Sequence, residues 1–124
     1  MKKFWLVLTL ILNITLLHAQ MSQVTDALSK NDAEALSNHF VSVVELNIDG
    51  TEGNYAKAQA KIMVRDFFNK IKPAPFTLKH KSESSSSKYI IGDLSSKGQK
   101  WRVTVYFRKE GASDAIHSLK FEKE

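Results

Sequence analysis

Apolar and polar residues along this chain alternate in two different rhythms, and the points where the rhythm changes mark its elements. From Asn54 to Lys72 apolar side chains recur at Ala56, Ala60, Met63, Val64, Phe67, Phe68 and Ile71. That is the i, i+3, i+4, i+7 spacing of one helical face, and Lys57, Lys61, Arg65, Asp66 and Asn69 keep to the other side. Pro73 and Pro75 end the pattern, since proline lacks an amide proton and disfavours α geometry in the residue before it. Two shorter helices precede it. Ser22 to Lys30 puts Val24, Ala27 and Leu28 on one face; a second helix, capped by Asn31 with Glu34 three residues on, carries Ala33, Leu36 and Phe40 as its stripe, with His39 beside them.

Elsewhere the period is two. Val44, Leu46 and Ile48 alternate with Glu45, Asn47 and Asp49, and Asp49-Gly50 signals a reversal. Phe76, Leu78 and His80 alternate with Thr77, Lys79 and Lys81, and Ser84 to Ser87 is a loop by composition. In the strand from Lys88 to Leu94, Gly92 marks a bulge or a close approach. Lys97-Gly98 turns the chain into the clearest strand, Trp101, Val103, Val105 and Phe107 against Arg102, Thr104, Tyr106 and Arg108. In the closing strand, Ala115 to Glu122, the apolar residues Ile116, Leu119 and Phe121 break alternation and predict a β-bulge near His117-Ser118. The order α-α-β-α-β-β-β-β predicts an α+β fold: a cone-shaped, strongly curved antiparallel sheet wrapped around the long helix, with a pocket between helix and concave face.

The N-terminus changes the picture of where the domain begins. Met1-Lys2-Lys3 precedes an apolar run from Phe4 to Leu17, with a small residue at Ala19. A basic start, an apolar segment too short to span a bilayer and a small cleavage residue predict a signal peptide over residues 1–19. The single domain is then 20–124, and 105 residues suffice for one core without staples. Cysteine is absent, which excludes disulfides, thiol nucleophiles, thiolate metal sites and the attachment cysteine of a lipoprotein. The address expected is the periplasm or the exterior, without stable membrane insertion after cleavage. Removing Lys2 and Lys3 from the formal charge of +5 leaves +3, spread along the chain, so no nucleic-acid footprint is expected.

Val44-Glu45-Leu46, Tyr55 through Phe68, Phe76 with His80-Lys81, Tyr89-Ile90-Ile91-Gly92 and Leu119 to Glu124 together resemble a small secreted bacterial family, domain of unknown function 4783. That family lies within the nuclear-transport-factor-2-like (cystatin-like) superfamily. The resemblance covers nearly all of residues 20–124 and implies a fold and an exported location, but no activity. Such sequences usually carry a serine where this chain has Ala56, a residue that would cap the long helix.

Enzymes of that superfamily place acid–base groups inside the cone, so the resemblance makes inward polar residues the ones to test. His80 shares a face with Phe76 and Leu78, and Tyr89, Ile91 and Asp93 share a face on the next strand. An imidazole oriented by Asp93 or Tyr89 would serve as a general base in an isomerase, dehydratase or hydrolase; the competing reading is a core histidine. The expected pocket wall is Met63, Phe67, Phe68, Phe76, Leu78, His80, Tyr89, Trp101, Val103 and Val105. His39, His80 and His117 lie in separate elements without metal-ligand spacing, and neither a glycine-rich phosphate loop nor a nucleophile elbow occurs, so neither metal nor cofactor is expected. Arg102, Tyr106 and Arg108 form a polar sheet face, either solvated or a contact for a second copy or an envelope protein. The leading reading is therefore non-catalytic: binding of a small apolar ligand or a protein partner in the cone pocket.

Overall fold

The computed structural model describes residues 20–73 and 75–124. The expected signal peptide at 1–19 lies outside them. Among the described residues three helices and six strands follow one another: α1 (20–29), α2 (Ala33–Ser37), β1 (Phe40–Ile48), β2 (Thr51–Ala56), α3 (Lys57–Ile71), β3 (Thr77–Ser84), β4 (Ser87–Ser96), β5 (Gln99–Glu110) and β6 (Ser113–Lys123). The strands form one curved sheet in the order β2-β1-β6-β5-β4-β3. Among the described residues no helix is long and apolar enough to cross a membrane.

This is the expected α+β architecture with two corrections. First, the long helix begins at Lys57 rather than Asn54, because Thr51–Ala56 is a strand paired antiparallel with β1 from Val43↔Ala56 to Ile48↔Thr51. Asp49 and Gly50 both adopt positive φ, 53° and 87°, the type I′ turn whose twist matches a hairpin. Asn47 clips that hairpin: its Nδ2 donates to Glu52 Oε1 at 2.8 Å and its Oδ1 accepts from the Gly50 amide at 3.0 Å. These contacts commit Glu52, Gly53 and Asn54 to a strand although none favours one by itself. Second, the sheet is mixed: β1 and β6 run parallel, and every other pairing is antiparallel. The β5–β6 hairpin fixes the direction of β6, and β1 docks on its free side.

α3 lies across the concave face and buries Ala60, Val64, Phe67 and Phe68, with Met63 and Ile71 packed at the margin. Phe67 meets the Trp101 ring edge-on at 5.1 Å and Phe121 at 4.9 Å; Phe68 meets Phe121 edge-on at 5.6 Å. Pairs of this kind add about 0.5–1.5 kcal/mol each beyond their buried area. The helix stops at Lys72, which takes the left-handed conformation (φ 46°) and returns its amide to the Phe68 carbonyl. The Ser96 hydroxyl donates to the Ile71 carbonyl and ties the helix end to β4.

α1 and α2 cover the rest of the concave face with Val24, Leu28 and Leu36, all fully buried. The N-cap of α2 is Asp32, whose carboxylate accepts from the Ala35 amide at 3.0 Å, one residue later than expected. Asn31 instead takes positive φ in the turn, and its Nδ2 donates to the Pro73 carbonyl at 3.0 Å. Phe40, expected on the helical stripe, is buried at the start of β1. The bulge expected near His117-Ser118 is present: Tyr106 pairs with Ser118 and Phe107 with Ile116, leaving His117 unopposed.

Ala56 is the N-cap of α3, at φ −59° and ψ 148°, and makes no side-chain cap bond. Asn54, which could have substituted for it, lies in β2 opposite Glu45. Gln59 stands three residues after the cap, so serine at 56 would complete a capping box on an exposed position. Ala56→Ser should raise unfolding free energy by about 1 kcal/mol, read as a higher urea midpoint at unchanged slope; an unchanged or lower midpoint would contradict the cap geometry.

Candidate functional site

The three residues proposed for acid–base work do not meet inside the cone. β3 pairs Leu78 with Gly92 and then His80 with Ile91, so Lys79 is an extra residue in the ladder. One extra residue transfers everything beyond it to the opposite face. Phe76 stays buried, but His80, expected to point inward with it, is exposed and opposite Ile91. The crowding at Gly92 accompanies this shift: a Cβ there would sit 2.2 Å from Phe76 Cζ and 2.3 Å from the Thr77 carbonyl. Asp93 has Lys79 Nζ as its charged neighbour at 4.0 Å, and Tyr89 packs its ring against Tyr106 at 6.1 Å. Among the described residues no hydrogen bond or ion pair joins His80 to Asp93 or Tyr89, and no cluster of His, Asp or Glu could hold a metal ion.

The interior of the cone is filled by its own side chains. Phe68, Phe76, Val103 and Val105, expected as pocket wall, are core residues, with both valines fully buried. Phe67 and Trp101 reach only a rim cleft of about 290 Å³ beside Ile48 and Ile71, where Lys123 Nζ lies 5.5 Å from the indole centre. Tyr89 belongs to the outer face, across from Ser82 and Tyr106.

Space remains at the mouth, between α1 and the β3–β4 hairpin. This groove of about 430 Å³ is lined by Met21, Ser22, Thr25, Asp26 and Ser29 from α1 and by Leu78, Lys81 and Ile90 from the sheet. Leu78 is 40 % exposed, a large apolar side chain left open at its edge. Most of the polar groups around it are already engaged. Thr25 donates to the Met21 carbonyl at 2.9 Å, Ser29 donates to the Phe76 carbonyl at 3.5 Å, and Asp26 pairs with Lys30 at 3.0 Å. Lys81 lies 3.7 Å from Glu83. An apolar floor with largely bonded polar walls accepts an apolar body. Of these residues only Leu78 was legible in advance. Met21 continues the Val24, Leu28 stripe one turn back, a signal that placed it on the buried face but not beside β3.

Two histidines sit in perturbed surroundings. Burial holds His39 below the usual histidine value, and the nearby Lys57 charge acts in the same direction. His117 is lowered first by burial and then by Arg108, against the opposing influence of Glu45 and of a backbone hydrogen bond with Phe107. Its ring leans on Tyr106 at 6.2 Å.

A long helix packed across a curved sheet, with helices α1 and α2 closing its mouth, is the nuclear-transport-factor-2-like architecture. Within that class the chain belongs to the family described as domain of unknown function (DUF4783), whose model matches residues 21–122. A DUF4783 family protein from Bacteroides ovatus is 25% identical, with 82% of this chain and 93% of that one covered at a TM-score of 0.77. One from Bacteroides uniformis is 24% identical, with 83% and 95% covered at 0.78. A SnoaL-like protein of unknown function from Burkholderia thailandensis shares the fold at 15% identity, with 89% and 96% covered and a TM-score of 0.63. No curated protein matches the sequence.

Because both histidine pKa values are lowered on folding, the unfolded chain takes up protons first as pH falls below about 6.5. The stability these residues contribute is complete above that value and is lost as pH falls through their folded-state pKa values. The urea midpoint should therefore be lower at pH 5.5 than at pH 7.5, and a His39→Gln, His117→Gln double variant should show a smaller drop; equal drops would exclude the histidines as the cause.

Proposed function

We propose that this protein is an exported, non-catalytic binding domain that seats a small apolar ligand in the groove between α1 and the β3–β4 hairpin. The observation that carries the reading is the division of space. The cone is occupied by Phe67, Phe68, Trp101 and Phe121, while the mouth keeps an open groove floored by Met21, Leu78 and Ile90. The groove falls within the size range of small-ligand sites, and its apolar floor favours burial of hydrocarbon at about 25 cal/mol per Å². The dispersal of His80, Asp93 and Tyr89 leaves the acid–base alternative without an assembled pair. Export rests on the leader pattern of residues 1–19 and on the absence of cysteine.

Nile red, a neutral apolar dye, should gain fluorescence on binding the purified protein. Leu78→Lys should weaken that binding about tenfold, the equivalent of about 1.4 kcal/mol of lost apolar contact, without moving the thermal midpoint. Absence of a fluorescence gain, or equal binding by the variant, would sink the groove as the site. Export has its own test: a tagged full-length chain secreted from a Gram-negative host should yield a mature N-terminus at Gln20 by mass spectrometry. Intact protein retained in the cytoplasm would refute it.

A further inference from the structure

A second cleft, of about 600 Å³, opens at the end of the sheet where the β3–β4 turn faces the β5–β6 hairpin, and it shares no residue with the α1 groove. We propose that it is a binding site for a small ligand bearing an oxyanion, a carboxylate or a phosphate, held between Arg108 and His117.

Charge balance is the first argument. The cleft brings together three basic residues, Lys88, Arg108 and Lys109, and one carboxylate, Asp114. Lys88 Nζ spends its charge on Asp114, donating to both carboxylate oxygens at 3.0 Å with the two side chains only 15% and 10% exposed. Arg108 and Lys109 are left without an ion-pair partner among the described residues. The site is therefore net positive, with a guanidinium whose planar fork suits bidentate contact to carboxylate or phosphate.

The second argument is the imidazole. His117 is the extra residue of the β5–β6 bulge, and bulges re-aim side chains that a regular ladder would point elsewhere. Here the ring is turned against Tyr106 and lines the cleft. Its Nδ1 is buried in the wall of the cleft. The groups facing this ring are Glu45 from β1, Tyr106 and Arg108 from β5, and the Lys88–Asp114 pair from β4 and β6. Among these groups Lys88 and Arg108 are offset by Asp114 and Glu45, so Lys109 supplies the cleft's net positive charge. The third argument is the serine turn: Ser85, Ser86 and Ser87 border the opening and present short hydroxyl donors to the rest of the ligand.

Titration of the isotopically labelled protein with inorganic phosphate and, separately, with citrate tests this by amide chemical shifts. Shifts saturating at 85–88, 106–109 and 114–117 with either probe support the site. A response to phosphate alone assigns it to phosphate-bearing ligands, and a response to citrate alone to carboxylates. Arg108→Gln, an exposed change that leaves the fold intact, should weaken binding at least tenfold; His117→Asn provides a second variant with the same expectation. Shifts reproduced by sodium chloride at equal ionic strength, shifts scattered over distant lysines, or unchanged affinity in both variants would overturn the proposal.

Discussion

The contact on which this protein depends is the wedge of Phe67 and Phe68 into the concave sheet at Trp101 and Phe121. A curved sheet has an apolar inner face that must be covered, and a single helix can cover it only by presenting large side chains at its centre. Burying each aromatic contributes about 1.5–3 kcal/mol, and their edge-on geometry adds to that. The same contact decides what cannot happen inside the cone. Space filled by phenylalanine is unavailable to a substrate, and the open clefts lie at the rims.

Register defects determine what stands at those rims. The extra residue at Lys79 moves His80 to the exterior while keeping Phe76 over Gly92, which takes the imidazole out of the cone and leaves Leu78 at the mouth. The extra residue at His117, in the interior strand β6, sets an imidazole beside Tyr106 and Arg108. Both bulges have a physical origin in the sheet's curvature: a strongly coiled strand pair accommodates its twist by inserting a residue on one side. In this fold, curvature and the placement of polar chemistry are therefore coupled. A mutation that regularised either strand would alter shape and surface chemistry together.

The two rims also differ in kind. The α1 groove has an apolar floor and mostly bonded polar walls, whereas the cleft at the β5–β6 hairpin carries uncompensated charge. The first can hold a ligand through shape and dehydration, the second through charge. They depend on different residues, and the tests that address them are separable.

Sequence alone determined most of the elements and most of the core. Period 3.6 from Ala60 to Ile71, period two from Trp101 to Arg108, the two glycine turns and the break at His117 are local signals, and each describes the neighbourhood in which it was read. The family was legible separately, as a resemblance carried by particular residues such as Tyr55 through Phe68 and Tyr89-Ile90-Ile91-Gly92. The strand at Thr51–Ala56 was not, because Gly53 and Asn54 have poor strand propensity and are held by pairing with β1 across a turn. The inward position of His80 failed for a related reason: alternation counts residues, and a bulge at Lys79 adds one that only the contact between Phe76 and Gly92 makes visible. Whether the cone was open, which residues of α1 face Leu78, and which charges converge on His117 are decided by contacts between segments distant in the chain. Period reports which face of an element is apolar; only tertiary packing decides what that face meets, and whether any space is left between them.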